Sequence, residues 1–260
     1  MKIILKLLSS LILFLLILIS PFLYCFKTPT FLLKNLEQQN YSQKIYQKIL
    51  DEMQNNIMPS GFDETILENL FTKEQVKIDL ERFIYNLYNE KEVEIDTTKI
   101  ENQLRDNIHK YLEYNDLEIE NNDSLETFIY QISSIYHEEI SIYNYLPIII
   151  KTMLQLLEIG KKLFFLGLLL LTSCFILLFF LKERSLASIP YTSAILLYLF
   201  SFFIQNHIDI PNLLIFGVAF SSVVITLLFN YLQFLQLCSI YLFILGSILC
   251  LKNPKISRSN

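Results

Sequence analysis

The segment that most constrains this chain is Leu163–Leu181, nineteen residues without a charge, bracketed by Lys161 and Lys162 before it and by Lys182 and Arg184 after it. At about 1.5 Å of rise per residue, a helix of that length crosses a hydrocarbon core of roughly 30 Å. It divides the chain into unlike halves. Before it lies a polar, acidic region tethered by one apolar N-terminal run, and after it comes almost uninterrupted apolar sequence.

The N-terminal run, Leu7–Phe26, is twenty uncharged residues following Lys2 and Lys6. Signal peptides share this charged start and apolar centre, but their apolar regions run to about 7–15 residues and end at small residues. Here the run is longer and ends in Ser20-Pro21-Phe22-Leu23-Tyr24-Cys25-Phe26, and Cys25 lacks the small residue that precedes a lipoprotein cleavage site. We read an uncleaved signal anchor, residues 1–26, with Tyr24 at an interface and Pro21 kinking its outer end.

With 53% hydrophobic residues and a mean hydropathy of +0.40, a wholly soluble fold is excluded as the default. The net charge of −5 is unevenly spread: Lys27–Lys161 holds 24 acidic and 13 basic side chains, a net of −11, and the remainder 2 acidic and 8 basic, a net of +6. No basic face is available for nucleic acid. Cys25, Cys174, Cys238 and Cys250 all lie in or beside apolar runs, so residues 27–162 contain no disulfide framework, and these thiols read as small hydrophobes.

Between the first two apolar runs, glycine occurs only at Gly61 and Gly160 and apolar residues recur at helical spacing, which predicts a helical domain without strands. Thr28-Pro29 opens a first helix, and Ser42 caps a second that ends at Met58-Pro59-Ser60-Gly61. Asp63 caps a short Glu64–Leu70 turn. Thr72-Lys73-Glu74-Gln75 has the spacing of a capping box and starts a helix striped by Val76, Leu80, Ile84 and Leu87. Asp96 or Thr97 begins the next helix, with Ile100, Leu104, Ile108, Tyr111 and Leu112 on one side. After an acidic break at Leu117–Asp123, Ser124 starts a helix that turns Phe128, Ile132, Ile135 and Tyr136 inward, and Pro147 begins one that continues into the central span, hinged at Gly160.

Beyond Lys182-Glu183-Arg184, residues 186–205 form a further span, and the polar link Asn206-His207-Ile208-Asp209 follows. Ile210–Leu251 is 42 residues without a charge, roughly 60 Å as one helix. Asn230, Gln233 and Gln236 mark a turn that divides it into spans at about 211–229 and 234–251, giving five in all with 1–26 and 163–181. Five spans put Lys252, Lys255 and Arg258 of the basic tail, 252–260, outside if Lys182 and Arg184 are inside, against the positive-inside tendency. Four spans repair the charge pattern but leave about twenty apolar residues unplaced. The expected class is therefore an all-α integral membrane protein, an acidic helical ectodomain lying between the first span and a C-terminal bundle of four, or three, transmembrane helices.

No catalytic, cofactor-binding or metal-ligating residue is assigned, and no cofactor is expected. Glu90, Glu92, Glu94 and Asp96 alternate without the glycine and terminal Glu of a calcium loop. His109, His137 and His207 are isolated, and His137-Glu138-Glu139 lacks the second His of a zinc helix. The other acidic residues read as scattered along polar faces. No Asp, Glu, Lys, Arg or His lies inside a proposed span, where proton and ion relays would need one. Thr172, Ser173, Ser193, Ser221, Ser222, Thr226 and Ser239 read as helix-packing hydroxyls, and Gly217-Val218-Ala219 and Gly246-Ser247 as close-contact sites. Asn40-Tyr41-Ser42 and Asn122-Asp123-Ser124 match the glycosylation sequon, which acts only in a eukaryotic secretory pathway.

The stretch Leu70-Phe71-Thr72-Lys73-Glu74-Gln75-Val76-Lys77-Ile78-Asp79-Leu80, preceded by Pro59-Ser60-Gly61, resembles an element of poorly characterised membrane proteins of Firmicutes and related bacteria. In these a signal anchor, a helical extracytoplasmic domain and a hydrophobic multi-span half follow in the same order. The resemblance implies a bacterial cell envelope and no particular activity.

The expected function is non-enzymatic: lipid is the solvent of the spans, and the ectodomain binds a protein partner or stabilises an envelope assembly. The alternative is a permease subunit working with a separate ATPase, since FtsX-like and MacB-like permeases are similar in their order of span, outer domain and bundle. The six residues before Leu7 leave no room for the cytoplasmic helix those permeases carry. An enzyme at the lipid surface would have only Glu158, Lys161 and Lys162 to work with near the membrane.

Overall fold

The computed structural model of the protein describes residues 1–91, 94–117, 122–142, 145–181, 186–210 and 218–251. Among these there is no strand. The helices are α1 (Lys2–Cys25), α2 (Pro29–Gln38), α3 (Tyr41–Ile57), α4 (Lys73–Tyr88), α5 (Thr98–Tyr114), α6 (Asn122–Ser141), α7 (Tyr145–Phe180), α8 (Ser188–His207) and α9 (Val218–Leu251). Two 3₁₀ turns, Met58–Ser60 and Glu64–Leu67, join α3 to α4. Glu92, the centre of the acidic break, Lys182, Glu183, Arg184, the first residues of the expected 211–229 span with Gly217, and the tail 252–260 lie outside the described residues. Two compact units result, Met1–Lys27 with Leu154–Asn260, and Thr28–Met153.

The first unit holds α1, α8, α9 and α7 from Leu154 onward, and these four helices are each long and apolar enough to cross a membrane. Their outer faces are unlike the surface of a water-soluble protein. Leu163, Phe165, Leu169, Phe179 and Phe180 of α7, and Leu237, Ile240, Tyr241 and Phe243 of α9, are all exposed. A contiguous apolar surface of this kind belongs against lipid or another protein.

Named contacts fix the helix directions. Ser193 Oγ donates to Ser10 O at 2.8 Å and Phe14 meets Phe200 edge-on at 6.0 Å, so α8 runs parallel to α1. A Cβ on Gly160 would meet Leu23 and one on Gly167 would meet Leu16, so α7 runs antiparallel to α1. Tyr191 bonds Ser247 at 2.9 Å and Gln236 donates to Gln205 at 3.2 Å, so α9 runs antiparallel to α8. Leu13, Phe14, Ile17 and Leu18 of α1 pack on the buried Ala194, Leu197, Leu235 and Leu242 of α8 and α9.

Two sequence expectations fail here. Gly160 is no hinge, because α7 is continuous for 36 residues through it; the missing side chain is instead the space that Leu23 occupies. Nor is there a turn at Asn230, Gln233 and Gln236: α9 runs unbroken for 34 residues, about 51 Å. These three side chains recur every third residue and so share a helix face, and neither glycine nor proline interrupts the chain between Gly217 and Gly246. The span boundaries at 229 and 234 are therefore replaced by one helix, and the described long apolar helices number four.

In the second unit the expected stripes of α4 and α5 are buried except at Leu87 and Tyr111, which are half-buried. Ile45, Ile49, Met53 and Ile57 of α3, Val76, Leu80, Phe83 and Ile84 of α4, and Ile100, Leu104, Ile108 and Leu112 of α5 are buried. On α6 the inward stripe is Leu125, Ile129, Ile132, Tyr136 and Ile140. Phe128, expected inside, is half-buried and meets Phe62 in a tilted ring contact at 5.4 Å, and Ile135 is half-buried. Thr72 caps α4 by accepting from Gln75 N at 3.1 Å, and Asp63 caps the 3₁₀ turn, accepting from Thr65 N at 3.0 Å. Ser42 is not the start of α3, which begins one residue earlier behind Asn40 in the left-handed region at φ 49°.

Candidate functional site

Hydroxyls tie the helices of the bundle together. Ser193, fully buried, has its single hydroxyl proton within reach of two carbonyls, Ser10 O at 2.8 Å and Ile189 O at 3.0 Å. Ser239 donates to Ala194 O at 2.9 Å, and Tyr231 to Leu18 O at 2.8 Å. Thr172 and Ser173 only return bonds to Leu169 O on their own helix. In lipid such interhelical bonds are each worth on average about 0.6 kcal/mol, because the separated helix finds other partners. Ser193→Ala is accordingly expected to cost under about 1 kcal/mol, whereas Ser193→Leu, with no room at a fully enclosed position, costs about 2–3 kcal/mol by overpacking. Thermal midpoints of the detergent-solubilised full-length chain will show whether the leucine variant falls well below the alanine one.

The second unit buries one carboxylate, Glu139, and half-buries another, Asp79, both of which its sequence reading left on polar faces. Asp79 of α4 accepts from Tyr136 Oη at 2.7 Å and from Gln75 Nε2 at 2.9 Å, with Arg82 3.7 Å away. Gln75 therefore spends its amide on Asp79, and only the Thr72 half of the capping box forms. Glu139 of α6 is 3% exposed; its Oε2 pairs with Lys48 Nζ at 2.8 Å, while its Oε1 has no hydrogen-bond partner. It lines a cleft between α3 and α6 together with Glu52, Asn56, Gln131, Ser134 and Glu138.

Asp79 and Glu139 were recognisable in principle. Asp79 follows Val76 by three residues, and Glu139 follows Tyr136 by three and Ile132 by seven, so both fall on the apolar stripes of their helices. An acid at a stripe position must be paired or solvated through a cleft.

Three tyrosines feel this burial. The Tyr136 phenol is pushed above its usual range, first by burial and then by its hydrogen bond to the Asp79 carboxylate. Tyr41 moves the same way through burial and then the charge of Glu139, and Tyr88 is pushed up to about 12 by burial. A phenol with a raised folded value keeps its proton while the unfolded chain loses it near pH 10. Its contribution is complete below that pH and is lost as pH rises further. The alkaline titration of the full-length chain is therefore expected to show phenolate absorbance for these groups appearing together with loss of helicity, above about pH 10. Free ionisation of every tyrosine near that value with helicity intact would contradict it.

The residues singled out from sequence do not converge. Glu90 and Glu94 are exposed, and Asp96, two residues before α5, accepts from Thr98 N at 3.0 Å. His109 and His207 are exposed and His137 is half-buried. Glu158, Lys161 and Lys162 are exposed on successive turns of α7. Among the described residues no three His, Cys, Asp or Glu side chains are grouped closely enough to hold a metal ion.

Comparison with protein-family models, with curated proteins and with solved structures finds no match to this chain.

Proposed function

We propose that this chain is a multi-pass protein of the bacterial plasma membrane whose acidic helical domain, residues 27–162, faces away from the cytoplasm and mediates an interaction or an envelope assembly without catalysing a reaction. One observation carries the reading: α1 and α8 run opposite to α7 and α9. Four alternating spans bring the start of α1, the α7–α8 connection and the end of α9 to one membrane face. In the sequence, Lys2 and Lys6 begin the first of these helices, Lys182 and Arg184 follow the second, and Lys252, Lys255 and Arg258 follow the last. All three groups satisfy the positive-inside tendency, which five spans could not do. The opposite face carries the acidic domain and Asp209.

Packing of α1 among α8 and α9 supports an anchor that stays attached, since its removal would expose the α8–α9 core. Hydroxyls bound to neighbouring backbones, and spans without ionisable groups, favour a packed bundle over a conduit.

Two measurements test the proposal. Alkaline phosphatase fusions should be active after residues in 28–153 and inactive after residue 181 and after the C-terminus; the reverse pattern would sink the orientation. Affinity purification of the intact protein from native membranes should recover a partner that is lost when residues 28–153 are deleted. Recovery of an ATPase would favour the permease subunit instead.

A further inference from the structure

The helix α9 is 34 residues long, whereas a hydrocarbon core is crossed by about twenty. Wherever that span is placed on α9, from 218–237 at one extreme to 232–251 at the other, it contains Gln233. Gln233 is exposed, as is Asn230 one turn away, and neither makes a hydrogen bond among the described residues. The other carboxamides of α8 and α9 are engaged. Gln236 Nε2 donates to Gln205 Oε1 at 3.2 Å, and Asn206 Nδ2 donates to Phe202 O at 2.8 Å. Lipid tails offer a carboxamide neither donor nor acceptor, so a span that leaves Gln233 facing them is costly until another protein group meets it.

The chemistry of the group selects its partner. A carboxamide carries both N–H donors and an oxygen acceptor, so it is complementary to a copy of itself. Two chains inserted in the same direction present α9 in parallel. A two-fold axis along the membrane normal then sets Gln233 opposite the Gln233 of a second copy, each amide donating to the other's oxygen. The residues beside it fit the same arrangement. Leu237, Ile240 and Ile244 follow Gln233 at steps of four, three and four residues, and all three are exposed. This is the heptad spacing by which a helix stripe packs on an identical one, with a polar pair fixing the register. No residue of the stripe is charged, so no repulsion opposes the meeting of like with like.

We propose that α9 carries a self-association face, and that the protein pairs with a second copy of itself in the membrane through reciprocal Gln233 amide bonds. This pairing rests on the spans lying in lipid, as proposed above, and is the same for either orientation of the acidic domain.

In the test, full-length chains bearing a donor or an acceptor fluorescent protein at the C-terminus are reconstituted together in vesicles of phosphatidylethanolamine and phosphatidylglycerol. Energy transfer above the level of random proximity is expected, saturating as the chain-to-lipid ratio rises. Gln233→Leu, which leaves the Gln236–Gln205 bond in place, should need about a tenfold higher ratio for half-association. Gln233→Asn keeps a carboxamide and should associate more readily than the leucine variant. The proposal is overturned if native chains show only random proximity, if Gln233→Leu associates as readily as the native chain, or if the asparagine variant does no better than the leucine one. Flotation of the vesicles after alkaline carbonate washing separates two kinds of failure. Chains that do not float refute the membrane reading and the pairing together, while chains that float without excess transfer refute the pairing alone.

Discussion

Leucine in place of Gly167 is expected to loosen α7 from α1 and to lower the stability of the solubilised chain by about 2–3 kcal/mol, the upper part of the range for an overpacked core. A Cβ at this position would stand 2.9 Å from Leu16 Cδ2 and 3.4 Å from Leu16 Cγ. Leu16 cannot retreat easily, being buried in a cluster with Ile12 and Cys174. One heptad earlier a Cβ on Gly160 would stand 3.0 Å from Leu23 Cδ2. The two glycines thus seat two leucines of α1 seven residues apart. In lipid no hydrophobic gain drives such helices together, so close packing is what holds them. Gly160→Leu should act in the same direction, and Leu169→Phe, on the exposed face of α7, should be neutral. Equal thermal midpoints for Gly167→Leu and the native chain would disprove the seating.

How much of this was readable follows from which physical terms are local. Helices in the acidic domain were legible because their stripes repeat at helical spacing and their starts carry Pro29, Asp63 and Thr72. Their ends were harder to read. The chain has only 5 glycines, so the left-handed residue that closes a helix is supplied by others. After α4, Glu90 takes φ 54°, with Glu90 N bonded to Leu87 O and Lys91 N to Asn86 O. After α5, Asp116 takes φ 53°, with Asp116 N bonded to Glu113 O and Leu117 N to Leu112 O. Both are Schellman closures made without glycine, a conformation that sequence alone does not announce.

In the bundle the same reasoning errs for a different reason. Gly160 suggests a hinge only if its neighbours are ignored, since a small residue also serves where another helix comes close. Asn230, Gln233 and Gln236 suggest a turn only if polar means exposed to water at a chain reversal. Gln236 instead reaches Gln205 across to α8, and the helix backbone needs no help. Long-range contacts decide these cases, and periodicity does not encode them. The cleft has both characters: the stripe position of Glu139 is in the sequence, but its meeting with Lys48, ninety-one residues earlier, is tertiary.

That pair yields the second large effect. Lys48→Met is expected to destabilise the acidic domain by about 2 kcal/mol. Breaking a fully buried pair from one side costs about 3–5 kcal/mol, and access of water to Lys48 reduces it. The lysine is 42% exposed while Glu139 is 3% exposed, so the burden falls on a carboxylate left enclosed with neither oxygen matched by Lys48 or another described hydrogen bond. Adding Glu139→Leu to Lys48→Met should restore most of the loss, because residue 139 shares its stripe with Ile132 and Tyr136 and a leucine there joins the core. Tyr41 offers an independent reading: with the Glu139 charge gone, its phenol keeps the burial but loses the second cause of its upward displacement, and should ionise at lower pH than in the native chain. By contrast Lys77→Met, which breaks the exposed pair with Glu37, should leave hydrogen exchange in α2 and α4 unchanged. Hydrogen exchange along α3 and α6 separates the cases. A double variant no better protected than Lys48→Met alone would mean that the buried carboxylate is not what the lysine compensates.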